Sequence, residues 1–196
     1  MKMKRDNARR VSSAPVSFQT RSAEDGPIIE GYFAVFNSDY VLWPGAVEQV
    51  APGAFASSLG VHDIRALVDH EPRLVLGRTG SGTLTLREDD RGLYGVIKIN
   101  EADSDAMNLY ARVQRGDVSQ CSFGFDILDE EYIQNPDGSC RWILRDVRLY
   151  EVSVVTFPAY EETSVSARQR DYEEIKRRQT NAWRNNMKER LSKCSE

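Results

Sequence analysis

Three side chains far apart in the 196 residues have the types needed to activate a hydroxyl nucleophile: Ser122 in GDVSQCSFGFD (116–126), His70 in VDHEP (68–72) and Glu151 in LYEVSVV (149–155). A serine hydroxyl attacks a carbonyl well only when a base takes its proton. Imidazole, which titrates near neutrality, is the usual base when a carboxylate holds its other nitrogen. Of the two histidines, His62 follows Gly60 in an expected loop, whereas His70 closes an expected strand and is the better candidate. A period-2 strand puts Cys121, Phe123 and Phe125 on one face and Ser122 and Gly124 on the other, so the thiol joins the aromatics and the hydroxyl turns toward a cleft. Residue types alone leave plainer readings open. Ser122 fits as a small residue tolerated beside glycine, His70 as a strand-end imidazole bonded to backbone, and Glu151 as an ion-pair partner of Arg145 or Arg148.

Bringing these side chains together is a task for strands. The turn signal Asn135-Pro136-Asp137-Gly138 joins the run holding Ser122 to CRWILRDVRLYEVSVVTFPAY (140–160), the richest β sequence in the chain. Simple antiparallel register about that turn makes paired numbers sum to about 274, which sets Ser122 opposite residue 151 or 152. A carboxylate among Leu149, Val152 and Val154 is costly to bury unless something pairs with it. Cross-strand neighbours on one face lie about 5 Å apart at Cβ, close enough for a base to bridge them.

The remaining segments supply the frame. Pro27 opens IIEGYFAVFN, the first core strand, and 37–52 reads as an irregular excursion followed by a short helix at most in AFASSLG. Ile64 to Val68 reads as a strand that stops at Pro72, and 82–88 with 92–99 as a hairpin about Asp89-Asp90-Arg91. Met107, Leu109, Tyr110 and Val113 have helical spacing, with Ser104 as N-cap and Gly116 as the stop. Many strands with one internal helix predict a mainly β, α+β fold, either a barrel or a rolled sheet.

The net charge of −4 is segregated: Lys plus Arg against Asp plus Glu count six to one over 1–22, eleven to twenty-four over 23–167 and nine to five over 168–196. Residues 1–23 read as a disordered basic tail, 24–167 as the folded domain and 168–196 as a basic amphipathic helix or tail. Three widely spaced cysteines without a CxxC pair argue against disulfides and structural zinc, and two histidines without HExxH argue against a histidine metal centre. No metal or cofactor is expected. The absence of an apolar run of about eighteen residues, and of an apolar stretch after MKMKRDNARR, excludes a membrane span or secretory leader from the expectation. Nucleic acid is a poor fit as partner, since the basic ends lack a pattern of interleaved aromatics.

In order along the chain, GYFAVFN (31–37), PGAF (52–55), VDHEP (68–72), GRTGSGTLTL (77–86), GLYG (92–95), RGDVSQCSFGF (115–125) and LYEVSVVTFPAY (149–160) resemble the prohead (procapsid) maturation proteases of tailed bacteriophages. The likeness runs over about residues 28–165. It implies a fold like that of the herpesvirus capsid protease, assemblin: a seven-stranded β-barrel with surrounding helices. It also implies a serine endopeptidase with Ser122 as nucleophile, His70 as base and Glu151 as the acidic third member. The implied substrates are the major capsid protein with its scaffold segment and the chain itself, with self-cleavage freeing the basic ends and a homodimer as the candidate assembly. The implied place is the host cytoplasm, inside the assembling procapsid. A non-catalytic capsid- or scaffold-binding module is the alternative.

Overall fold

The alternation of CRWILRDVRLYEVSVV makes a 16-residue strand that pairs along its whole length and on both edges, and the first unit is built around it. The computed structural model describes residues 10–14, 18–23, 26–157 and 162–193. Contacts divide the chain into Met1–Tyr160 and Glu161–Glu196.

In the first unit the strands are β1 (Arg10–Ala14), β2 (Gln19–Ala23), β3 (Gly26–Val35), β4 (Tyr40–Trp43), β5 (Ala46–Val50), β6 (Arg65–Val68), β7 (Glu71–Arg78), β8 (Leu84–Glu88), β9 (Gly92–Lys98), β10 (Gln120–Gln134) and β11 (Cys140–Val155). One helix, α1 (Ser104–Arg115), precedes β10. Two sheets result: a seven-stranded one in the order β1-β10-β11-β5-β4, with β6 on β11 and β7 on β6, and a four-stranded one in the order β2-β3-β9-β8. The expected seven-stranded closed barrel is not formed. The reason lies in β11, whose first half takes β5 as a parallel neighbour and whose last part takes β6, so the sheet forks and ends at β4 and β7 instead of closing.

Other expectations are also corrected. The excursion at 37–52 contains the β4–β5 hairpin, and the expected short helix after Pro52 is a run of turns. Strands β1 and β2 fall within the stretch 1–23 that composition assigns to a disordered tail, and they ladder to β10 and β3; the rest of that expectation, over 1–9 and 15–17, lies outside the described residues. The cap of α1 is Asp103, whose carboxylate accepts from the Asp105 and Ala106 amides, one residue before the expected Ser104. Gly116, at φ 87°, ends the helix as expected.

The core lies on the aromatic face of β10. Phe123 meets Phe125 and Phe55 at ring-centroid distances of 5.0 and 5.4 Å, and Ile29, Phe33, Leu93, Ile97 and Leu109 belong to the same buried cluster. Cys121, fully buried there, donates its thiol to the Tyr32 carbonyl at 3.2 Å. The second unit contains the helix α2 (Glu162–Lys193), in which Trp183 remains 63% exposed. Among the described residues no helix is long and apolar enough to cross a membrane.

Candidate active site

A single extra residue in β11 decides which way Glu151 points. From the turn up to Phe125–Leu149 most pairs sum to the expected register, but Gly124 then pairs with Glu151, leaving Tyr150 unopposed as a bulge. Strict alternation from Val147 and Leu149 would carry Glu151 into the core. With Tyr150 inserted, Val152 and Val154 resume the core face, while Glu151 and Ser153 join Ser122 and Gly124 on the other. Ser122 accordingly stands opposite Ser153, not residue 151 or 152, and Glu151 is its diagonal neighbour. The bulge is held from both sides: the Tyr150 hydroxyl donates to Asp126 on β10 at 2.6 Å, and Ser58 receives the Leu149 amide at 2.9 Å while donating to the Val147 carbonyl at 2.8 Å.

His70 comes from the opposite edge of β11. Strand β6 runs parallel to it, Ser153 opposite Leu67 and Val154 opposite Val68, and Asp69-His70 then forms a two-residue hairpin loop to β7 with φ values of 45° and 61°. Positive φ at both loop positions is the geometry that matches strand twist in a tight hairpin, and aspartate tolerates it better than most residues. Asp69 fastens this loop to the end of β11. Its amide donates to the Val154 carbonyl at 3.0 Å, and its carboxylate accepts from the Thr156 amide at 2.7 Å and hydroxyl at 3.1 Å. Pro72 interrupts pairing without ending the strand: the β6–β7 ladder jumps from Glu71 to Val75.

The imidazole reaches back so that Nδ1 lies 2.7 Å from Glu151 Oε1. Glu151 is 1% exposed, and its second oxygen accepts from the Ser153 hydroxyl at 2.6 Å. Two donors on one buried carboxylate fix its plane and offset its desolvation. The other imidazole nitrogen, Nε2, is buried without a hydrogen-bond partner among the described residues. The structure therefore joins His70 to Glu151 and puts Ser122 on Glu151's face, but Ser122 does not bond to Nε2. Ser122 is itself fully buried. Arg145, one of the alternative partners for Glu151, pairs with Glu131.

Ser153 and Asp69 escaped the sequence reading. Ser153 had a signal, standing two residues beyond Glu151 and hence on its face. Asp69 had a weaker one, as aspartate in a tight turn. Nearby, a groove lined by Arg65, Leu67, Pro72, Val75 and Tyr150 opens beside Glu151. Where β6 begins, the Arg78 guanidinium holds the Asp63 carboxyl below the usual carboxylate range, helped by the Gly80 amide. Donation to Asp126 raises the Tyr150 phenol. Among the described residues no three His, Cys, Asp or Glu side chains gather as a metal ion would need.

The model of the caudovirus prohead serine protease family matches residues 16–178, so β1 lies outside the matched span. The prohead protease of Enterobacteria phage HK97 is 32% identical over 144 residues, covering 71% of this chain and 59% of that protein. The prohead protease of Escherichia phage T5 is 30% identical over 98 residues, 50% of this chain and 42% of that one. The chain thus spans little more than half of the first relative's length and less of the second's. The solved structure of the bacteriophage T4 capsid assembly protease superposes with a TM-score of 0.48 at 11% identity, covering 75% of this chain and 96% of that one.

Proposed function

Since the chain belongs to the caudovirus prohead serine protease family, we propose that it is a serine endopeptidase of procapsid maturation in which Ser122 is the nucleophile, His70 the general base and Glu151 the orienting carboxylate. The observation that carries this reading is the 2.7 Å contact from His70 Nδ1 to buried Glu151, which leaves Nε2 as the imidazole nitrogen still available for a serine proton. In the reaction Nε2 takes the Ser122 proton as Oγ attacks the scissile carbonyl, then returns it to the leaving amine. A water molecule repeats the sequence on the acyl-enzyme. Glu151 accepts the hydrogen bond from Nδ1–H throughout and stabilises the imidazolium, while Ser153 keeps the carboxylate from turning away. Closing the gap between Ser122 and Nε2 is a required step, consistent with catalytic hydrogen bonds that tighten only around bound substrate.

The substrates in this reading are the capsid protein with its scaffold segment, and the chain itself near its basic ends, all within the assembling procapsid in the host cytoplasm. Coexpression of Ser122→Ala with the cognate capsid protein tests it: cleavage should cease, and continued processing would end the serine mechanism. Labelling by a fluorophosphonate, lost in Ser122→Ala, separates an enzyme from a capsid-binding module that has the fold without the chemistry.

A further inference from the structure

β10 has β11 on one edge and β1 on the other. The β1 backbone runs antiparallel to it, with Val11 opposite Gly124, Ser12 opposite Phe123, Ser13 opposite Ser122 and Ala14 opposite Cys121. The strand bearing the candidate nucleophile therefore has one edge not taken by its own hairpin, and a segment of the same chain lies along it. Main-chain amides and carbonyls on such an edge accept any extended peptide in the same register, whatever its side chains. β1 is suited to being exchanged: it is five residues long, its sequence RVSSA offers little apolar surface, and it precedes the span the family model matches. With β1 in place Ser122 is completely buried.

We infer that the outer edge of β10, Cys121 to Phe125, is the track on which a polypeptide substrate docks as an added antiparallel strand, and that β1 occupies this track until substrate displaces it. Its bearing on catalysis rests on the serine-protease reading of Ser122; the docking itself needs only the backbone. The peptide bond opposite Ser122 is the one brought to the nucleophile. β1 then acts as a self-supplied competitor, and a segment docked about nine-tenths of the time raises the apparent KM about tenfold.

Two variants test this, removal of residues 1–14 and the double substitution Ser12→Pro/Ser13→Pro. Of two neighbouring residues in an antiparallel ladder one turns its amide toward the partner, so the paired prolines break a bond in either phase. Hydrogen exchange is read in a Ser122→Ala background, with protection in β3 and β9 reporting an intact fold. Amides within 121–125 should lose protection in both variants and regain it when a synthetic peptide of residues 8–17 is added. With Ser122 restored, the truncated enzyme should show the lower KM for the cognate capsid precursor, and the peptide should inhibit it competitively. Protection that persists in both variants, or that the peptide fails to restore, would overturn the inference whatever the activity. Protection that behaves as expected in a protein that cleaves nothing would uphold the docking edge and sink the serine-protease reading instead.

Discussion

The two donors on Glu151 divide the work of positioning, and substitutions should separate them. Glu151→Gln keeps the shape but offers the imidazole an amide, so the wrong tautomer is favoured; we expect kcat to fall by up to about 10⁴ with little change in KM. Ser153→Ala leaves one buried carboxylate oxygen without its hydroxyl donor, a loss of roughly 1–3 kcal/mol in stability by urea titration. It should lower kcat by about tenfold through a less firmly held Glu151. A Ser153→Ala enzyme with full kcat would show that His70 alone fixes the carboxylate. At this scale the sequence offered residue types: a hydroxyl, an imidazole and a costly buried carboxylate made Ser122, His70 and Glu151 candidates for one chemistry, and the resemblance to the protease family, more than the residue types, favoured that reading over the plainer ones. Ser153 and Asp69 were harder to read, because a place two residues beyond Glu151 and an aspartate in a turn are weak signals until their partners are known.

Elements turn that list into a site, and here the bulge matters most. Deleting Tyr150 would remove the extra residue, so that Glu151 follows Leu149 directly and keeps the face it shares with Ser122. The deletion should therefore keep most of the cleavage of the capsid precursor, as should Tyr150→Phe, since both lose the bond to Asp126 without turning Glu151. Loss of cleavage in the deletion would mean that the bulge does more than set the face on which Glu151 stands. No residue in LYEVSVV announces a bulge, which is why simple counting from the turn is right near the turn and off by one at Ser122. Helix α1 offers a smaller check on the same point. Asp103→Ala should cost about 1 kcal/mol while Ser104→Ala stays within about 0.5, because the capping carboxylate belongs to residue 103.

Across the whole first unit, pairing between distant segments was the least legible feature. Strands β3, β8, β9, β10 and β11 follow local alternation and turn residues, but nothing periodic says that β5 and β6 will share one edge of β11, and that sharing makes two open sheets rather than a barrel. The same long-range ties set how stability follows pH. Asp63 joins the start of β6 to the end of β7 and the turn after it through Arg78 and the Gly80 amide, and Asp137 holds the β10–β11 turn through Ser139. Both carboxyls lie below their ordinary range, the first chiefly because of Arg78 and the second chiefly because of the Ser139 hydroxyl. A carboxyl depressed by folding stabilises fully above its unfolded pKa of about 3.9, and that contribution disappears as pH falls through the lower folded value. Tyr32 and Tyr150 work in the other direction. Their phenols, raised chiefly by donation to Asp89 and Asp126, stabilise fully below about pH 10 and lose that contribution as pH rises through the folded values. Thermal unfolding should thus show a plateau at neutral pH with a decline on each side. Asp63→Asn should lower Tm on the plateau and flatten the acid decline, the two proteins converging once pH has fallen through the lowered folded pKa of Asp63, where neither retains the charge. Parallel curves for wild type and Asp63→Asn from pH 7 to 2 would show that Arg78 contributes nothing to the stability of the β6–β7 hairpin.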